Sequence, residues 1–258
     1  MKLLIKVGGT LLDDAGRRAN LARQLAQISH DLVIVHGGGK QVTGFLAERG
    51  ISSRFAGGLR VSDEAVIDAV TKVIGGSVNK GLVSALIAAG RAAVGLSGVD
   101  GGLTAAEPIS SELGFVGRPA RTDERLLDLL IRAGYLPVLA CLAGDANGNI
   151  YNVNADQMAV SCALGWQADK LLFLTDVAGV RDASGTVLPR LGEKEIEELI
   201  RSGTAHGGMQ AKLEAARLAL QNGLAEVVIA SGHEPGICTR FLAGQAVGSR
   251  LALEAVAP

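Results

Sequence analysis

The residues Val33-Ile34-Val35-His36-Gly37-Gly38-Gly39-Lys40 decide the reading of this chain. Three apolar β-formers and His36 lead into three glycines, and residues 41–49 continue with the spacing of an amphipathic helix. Such a junction removes side chains where backbone N–H groups and a helix N-terminus converge, which is an anion-binding geometry.

The pattern repeats on both sides of this stretch. Residues 3–7 read as a short strand ending in Gly8-Gly9-Thr10, and Asp13 and Asp14 cap a helix to about residue 28. Beyond a loop at Gly57-Gly58-Leu59-Arg60-Val61, Ser62, Asp63 and Glu64 open a helix to about residue 74. Gly75-Gly76 is expected to break it before a further helix over 78–88. Residues 92–96, 136–140, 171–174 and 226–230 read as strands, and 103–121 as short strands and turns. Helices are expected over 122–133, from Asp156 to about 164, over 193–202 and over 210–222. Strands alternating with helices predict an α/β fold with an open, mainly parallel central sheet covered on both faces, a three-layer α/β/α sandwich. The chain is expected to divide near residue 170 into an N-terminal lobe, 1–170, and a C-terminal lobe, 171–258, within one continuous α/β unit.

Composition agrees with that class. Of 258 residues, 48% are hydrophobic and 35 are glycine, but only 3% are aromatic, which suits a buried Val/Leu/Ala sheet with many tight turns. The 25 basic and 26 acidic residues leave no charge surplus that would point to nucleic acid or an anionic membrane. No apolar run approaches the ~20 residues of a membrane span. The apolar start at 3–5 is interrupted by Lys6, Gly8 and Gly9, too early for a signal peptide. Cys141, Cys162 and Cys238 are widely spaced in apolar surroundings and read as buried thiols of a reducing cytoplasm.

The chemistry is read from isolated charges. Lys6 is the one charge inside its apolar strand, immediately before a glycine pair, and needs a partner or a ligand. Lys212 is expected in the first turn of a helix opened by Gly207-Gly208-Met209, where a cation opposes the dipole unless an anion is near. Either could be a surface lysine with a buried stem; together, facing one crevice, they suggest charge neutralisation in phosphoryl transfer. Asp156 is either a helix N-terminal acid or the group that holds both lysines. No Walker or dinucleotide glycine motif is present. The His36-to-Gly39 string also suits the oxyanion loop of an esterase, but Gly95-Leu96-Ser97-Gly98-Val99 lacks the last glycine of a nucleophile elbow. His30, His36, His206 and His233 lack zinc-site spacing, so no protein-bound metal is expected.

Taken together, several strings resemble the amino-acid kinase family. They are Lys6-Val7-Gly8-Gly9, Val35 to Gly39, Gly58 to Val61, Val78-Asn79-Lys80, Gly134 to Pro137, Asn152 to Asp156, Thr175 to Gly179 and Gly207 to Lys212, in the family's order over nearly the whole chain. The resemblance is closest to the branch acting on N-acetyl-L-glutamate. It implies a carbamate kinase-like fold and ATP-dependent phosphorylation of that substrate's side-chain carboxylate, in arginine biosynthesis. By position it implies that Lys6 and Lys212 stabilise the transferring phosphoryl group and that Asp156 organises them. Gly38, Gly39, Arg60 and Asn152 would bind the acyl substrate. Gly8, Gly9, the loop Asp176, Val177, Ala178, Gly179, Val180 and Arg181, and Thr204, Ala205, His206 and Met209 would bracket ATP, with Mg²⁺ carried by its phosphates. The chain begins directly at its first strand, without the N-terminal helix by which arginine-sensitive hexameric members of the family interlace, so a homodimer with little arginine feedback is expected; the composition and cysteines point to the cytoplasm. The Ser97-to-Gly102 string also resembles branches that phosphorylate carrier-bound aminoadipate or glutamate. A silent nucleotide-binding regulator is disfavoured by the presence of both lysines and the acid.

Overall fold

The computed structural model describes residues 1–253, so the last five residues of the expected C-terminal lobe lie outside it. Strand β1 (Lys2–Val7) leads through a 3₁₀ turn to helix α1 (Ala15–Ala26), and β2 (Asp31–His36) leads to α2 (Gly39–Ala47). A hairpin of β3 (Phe55–Ala56) and β4 (Leu59–Arg60) precedes α3 (Glu64–Val70), a π-helical segment (Thr71–Val78), α4 (Asn79–Ala88) and β5 (Ala93–Ser97). Then come β6 (Thr104–Pro108), β7 (Val116–Thr122), α5 (Arg125–Arg132), β8 (Leu136–Ala140), β9 (Leu142–Gly144), β10 (Ile150–Val153) and α6 (Ala155–Gly165). The chain continues through β11 (Lys170–Thr175), β12 (Arg190–Leu191), α7 (Glu193–Arg201), α8 (Gly207–Gln221), β13 (Glu226–Ser231), α9 (Ile237–Leu242) and β14 (Ser249–Leu251).

Eight strands form one sheet in the order β12-β14-β13-β11-β1-β2-β8-β5. It is parallel from β13 to β5, and only β14, antiparallel to β13, and β12 beside it run the other way. Helices α1, α4 and α9 pack together on one face, and α5, α6 and α8 lie on the other. This is the three-layer α/β/α sandwich expected from the alternation. Its inner strands are apolar without alternation because both faces are covered: Leu3, Leu4, Ile5 and Val7 of β1 and Val33, Ile34 and Val35 of β2 have no exposed surface. A second unit, the closed four-strand set β10-β7-β6-β9, continues from the carboxyl ends of β5 and β8.

The order reverses at β1. The chain leaves β1 toward β2 on one side, returns at β11 on the other, and moves on to β13. In open α/β sheets a crevice opens beyond the carboxyl ends of strands at such a switch point. There the turns after Val7, Val35 and Leu174 meet: Gly8 N–H donates to the Leu174 carbonyl (2.9 Å) and Gly37 N–H to that of Val7 (3.3 Å). The end of β5 lies away from them, where the Ser97 hydroxyl donates to Asp100 Oδ2 at 2.7 Å.

Three expectations change. Gly75-Gly76 does not break the helix; the backbone winds through both as a π-helix that joins α3 to α4. The helix expected from residue 122 begins at Arg125, because Thr122 completes β7. Helix α8 starts at Gly207, which puts Lys212 in its second turn rather than its first. Its side chain leans back toward the N-terminus, as helical side chains do, with Nζ 3.3 Å from the Gly208 carbonyl oxygen.

Candidate active site

Asn154 caps α6, its side-chain oxygen accepting from the N–H groups of Asp156 (2.8 Å) and Gln157 (3.2 Å). The cap puts Asp156 in the first turn, where the dipole favours a carboxylate. From there Asp156 Oδ1 meets Lys6 Nζ of β1 at 2.7 Å, and Oδ2 meets Lys212 Nζ of α8 at 3.4 Å. The three side chains retain 7%, 7% and 15% of their exposure for Asp156, Lys6 and Lys212, so the pairs are screened far less than surface ones. Burial would raise the Asp156 carboxyl, but the adjacent ammonium groups of Lys6 and Lys212 outweigh it and hold the carboxyl below its ordinary value. Burial, only partly offset by Asp156, lowers Lys212. Two cations around one anion leave a net positive charge in a dry place, which suits a transferring phosphoryl group.

The glycine turns lie beside this bracket. A Cβ on Gly9 would sit 3.2 Å from Gly38 N and 3.3 Å from Gly38 Cα, so the two backbones approach with nothing between them. Gln41 of α2 fixes the first turn by donating to the Gly9 carbonyl at 3.0 Å. The ladder of α2 begins with Val42 N–H to the Gly38 carbonyl, leaving the amides of Gly39, Lys40 and Gln41 outside it. Lys40 itself turns away to pair with Asp13 at 2.6 Å.

A cavity of about 160 Å³ adjoins the triplet, lined among others by Gly38, Gly39, Phe55, Arg60, Ile74 and Asn152. Arg60 is 7% exposed; Nη2 donates to the Gly39 carbonyl and Thr43 Oγ1, both at 2.8 Å, and Nη1 to Ser53 Oγ at 2.5 Å. Asn152 donates to Ser62 Oγ (3.2 Å), and Ser62 donates to the Arg60 carbonyl (2.8 Å), so Arg60 and Asn152 are tied through one hydroxyl. A larger cavity of about 450 Å³ between α6, α8 and β7 contains none of the three charged residues and is not the site of this chemistry.

The remaining sequence-derived residues fall into two groups. Asp176 and Val177 are exposed after β11, and Asp176 acts electrostatically on Lys212. Ala178 is half-buried, whereas Gly179 packs on Val187 and Ser249, and Val180 is fully buried with its N–H donated to Ser249 Oγ (2.8 Å). Arg181 donates to the Gly185 carbonyl within its own turn (2.9 Å). Before α8, Thr204 meets the Ser202 hydroxyl (3.0 Å), Ala205 is buried, His206 is exposed at the N-cap and Met209 packs on the core. Gly8 has spent its N–H on Leu174, so its share in the site is its missing side chain.

Sequence reasoning missed Ser53, Thr43 and Ser62, which hold Arg60 and Asn152, and gave no role to Asn79, whose Nδ2 lies 3.0 Å from His36 Nε2. Ser53 and Ser62 in loops, and Thr43 and Asn79 on helices, give no signal of a role on their own; only tertiary contact singles these out.

The pattern of the Amino acid kinase family matches residues 1–231. This chain belongs to the amino acid kinase family. The acetylglutamate kinase of Solibacter usitatus (strain Ellin6076) is 54% identical over 254 residues, 97% of this chain and 99% of its own. That of Koribacter versatilis (strain Ellin345) is 44% identical over 234 residues, 89% of this chain and 90% of its own. Among solved structures, the N-acetylglutamate synthase of Neisseria gonorrhoeae complexed with coenzyme A and N-acetyl-glutamate superposes with a TM-score of 0.87 at 26% identity. The match covers 98% of this chain but 59% of the synthase.

Proposed function

We propose that this chain is an amino-acid kinase that transfers the γ-phosphoryl group of ATP to the side-chain carboxylate of N-acetyl-L-glutamate, a step of arginine biosynthesis. One observation carries the reading: Asp156 bridges Lys6 and Lys212 at 2.7 and 3.4 Å beside two glycine turns and a small polar-tipped cavity. A carboxylate is already a nucleophile at neutral pH, so the reaction needs no general base. One of its oxygens forms the new bond to γ-phosphorus while the bond to the β,γ-bridging oxygen breaks, and ADP leaves. The obstacle is bringing two anions together, and the ammonium groups with the amides of Gly9, Gly38 and Gly39 offset it.

Arg60 and Asn152 are the groups for the α-carboxylate and acetamido end, Arg60 exchanging neutral acceptors for a charged one. ATP would lie over Asp176, Val177, Ala178 and Arg181 and the approach to α8 at Thr204, His206 and Met209. Gly179, Val180 and Ala205 would shape those loops from beneath. Mg²⁺ would enter on the ATP phosphates, because both Asp156 oxygens are engaged by ammonium groups. The division into an acyl-binding lobe, 1–170, and a nucleotide lobe beyond it belongs to the same proposal, as do a cytoplasmic location and weak arginine feedback. We read the assembly as a homodimer: among the described residues β5 is a sheet edge paired only with β8, and Ile87 on the adjoining α4 is 57% exposed. Among the described residues no helix is long and apolar enough to cross a membrane.

An esterase fits poorly. Ser97 is hydrogen-bonded to Asp100, and the His36 ring is fully buried against Gly37 and Asn79. A coupled ADP-release assay over acetylated, free and carrier-bound amino acids tests the proposal. Turnover with N-acetyl-L-glutamate is expected; turnover confined to another carboxylate would move the chain to a different branch of the family.

A further inference from the structure

His36 ends β2 one residue before the glycine turn and has no exposed surface. Its Nδ1 lies 2.9 Å from the Gly37 carbonyl oxygen and its Nε2 3.0 Å from Asn79 Nδ2. Asn79, also fully buried, reaches the Val138 carbonyl of β8 at 2.9 Å with the same nitrogen. A carbonyl can only accept, so Asn79 must present its NH₂ there and to His36. His36 Nε2 therefore accepts, and the proton sits on Nδ1, donated to Gly37. Burial lowers His36 to about 4, which keeps the ring neutral through the working pH range.

The direction of this chain has a consequence for catalysis. The peptide between Gly37 and Gly38 is planar and trans, so its C=O and N–H point in opposite directions. Holding the Gly37 oxygen inward against His36 turns the Gly38 N–H outward, on the side where Gly38 N faces Gly9. Asn79 also terminates the π-helix, whose Ile74 and Val78 side chains would lie 3.2 and 3.4 Å from a Cβ on Gly38. One segment thus closes the glycine turn from above and locks its peptide plane from below.

We propose that His36 and Asn79 are positioning residues for phosphoryl transfer, acting through the Gly37 carbonyl to aim the Gly38 N–H at the reacting group. The assignment rests on the kinase reading above.

The test combines kinetics with a measurement that needs no turnover. In His36→Leu the Gly37 carbonyl loses its donor, and kcat should fall about tenfold to a hundredfold, the scale of a misdirected catalytic amide, with KM for both substrates within about threefold. An asparagine amide nitrogen can stand where Nδ1 stands, so His36→Asn should restore most of kcat. Nitrogen-15 NMR of the wild-type imidazoles at neutral pH should find His36 protonated on Nδ1 alone, and Asn79→Ala should release that tautomer. An Nε2-protonated ring in the wild type would overturn the proposal. So would equal losses in His36→Leu and His36→Asn, which denote packing only, or a His36→Leu enzyme with wild-type kcat. Failure of the wild type to release ADP with any carboxylate would instead overturn the kinase reading, and this assignment with it.

Discussion

Lys6 and Lys212 each place an ammonium group against Asp156, and in the proposed mechanism each would lower the barrier rather than bind substrate. Lys6→Ala and Lys212→Ala should therefore each lose about 10²-fold or more in kcat, the scale of removing a transition-state charge contact, with smaller changes in KM. Steady-state ADP release decides this, and near-normal kcat in either variant would remove that lysine from the mechanism. Asp156 has a different task. Asp156→Asn leaves two buried cations without their anion and should cost about 3 kcal/mol or more of stability by urea unfolding. The sign with pH follows from the depressed carboxyl. Its contribution is present in full above the ordinary 3.8 and is lost as pH falls through the lower folded value. The stability gap between wild type and Asp156→Asn should thus be constant near neutrality and shrink only below about pH 4. These three residues were legible because a lone charge in an apolar strand or at a glycine-opened helix is locally anomalous. The pairing of His36 with Asn79 was not: the partners are 43 residues apart, and neither of the strings that contain them points to the other.

At the scale of elements, the site is the meeting of two turns, and the closest approach is backbone to backbone. Gly9→Ala would set a methyl 3.2 Å from Gly38 N, and a main chain gives way less readily than a side chain. It should lower kcat about tenfold or more through displacement of the turn and reduce stability by roughly 1 kcal/mol. Gly44→Ala is the control: it lies on the exposed side of α2 with nothing within 4 Å. That variant should leave kcat unchanged and gain roughly 0.5–1 kcal/mol from helix propensity. Thermal unfolding and ADP release on both variants separate crowding at the turn from a general effect of glycine replacement. The same glycines explain what could not be read in advance. A Gly-Gly pair signals a break by propensity, whereas the π-helix through Gly75 and Gly76 is held by its packing. Over eight residues a π and an α periodicity do not differ enough to tell apart. Likewise β14 is three residues long and owes its antiparallel place to pairing with β13, not to any pattern of its own.

At the scale of the molecule, the order of strands does most of the positioning. Apolar runs without alternation made the parallel sheet legible, since only strands covered on both faces read that way. The switch at β1 then follows from connectivity, and it brings residues 6, 156 and 212 to one edge although they are far apart in the chain. The opposite end of the same sheet raises the question of what covers β5. An edge strand whose Gly95 carbonyl accepts from Lys80 Nζ (3.1 Å) rather than from a further strand, beside an exposed Ile87, invites pairing, and a second copy meeting it across a two-fold axis would close both edges at once. Ile87→Glu should then convert a dimer into a monomer by sedimentation velocity. Leu218→Glu, at a comparably exposed leucine on α8, should leave the dimer intact. A wild type that sediments as a single chain would overturn the dimer. A dimer indifferent to Ile87→Glu would move the interface away from α4, leaving the edge of β5 to be covered by something other than a second copy.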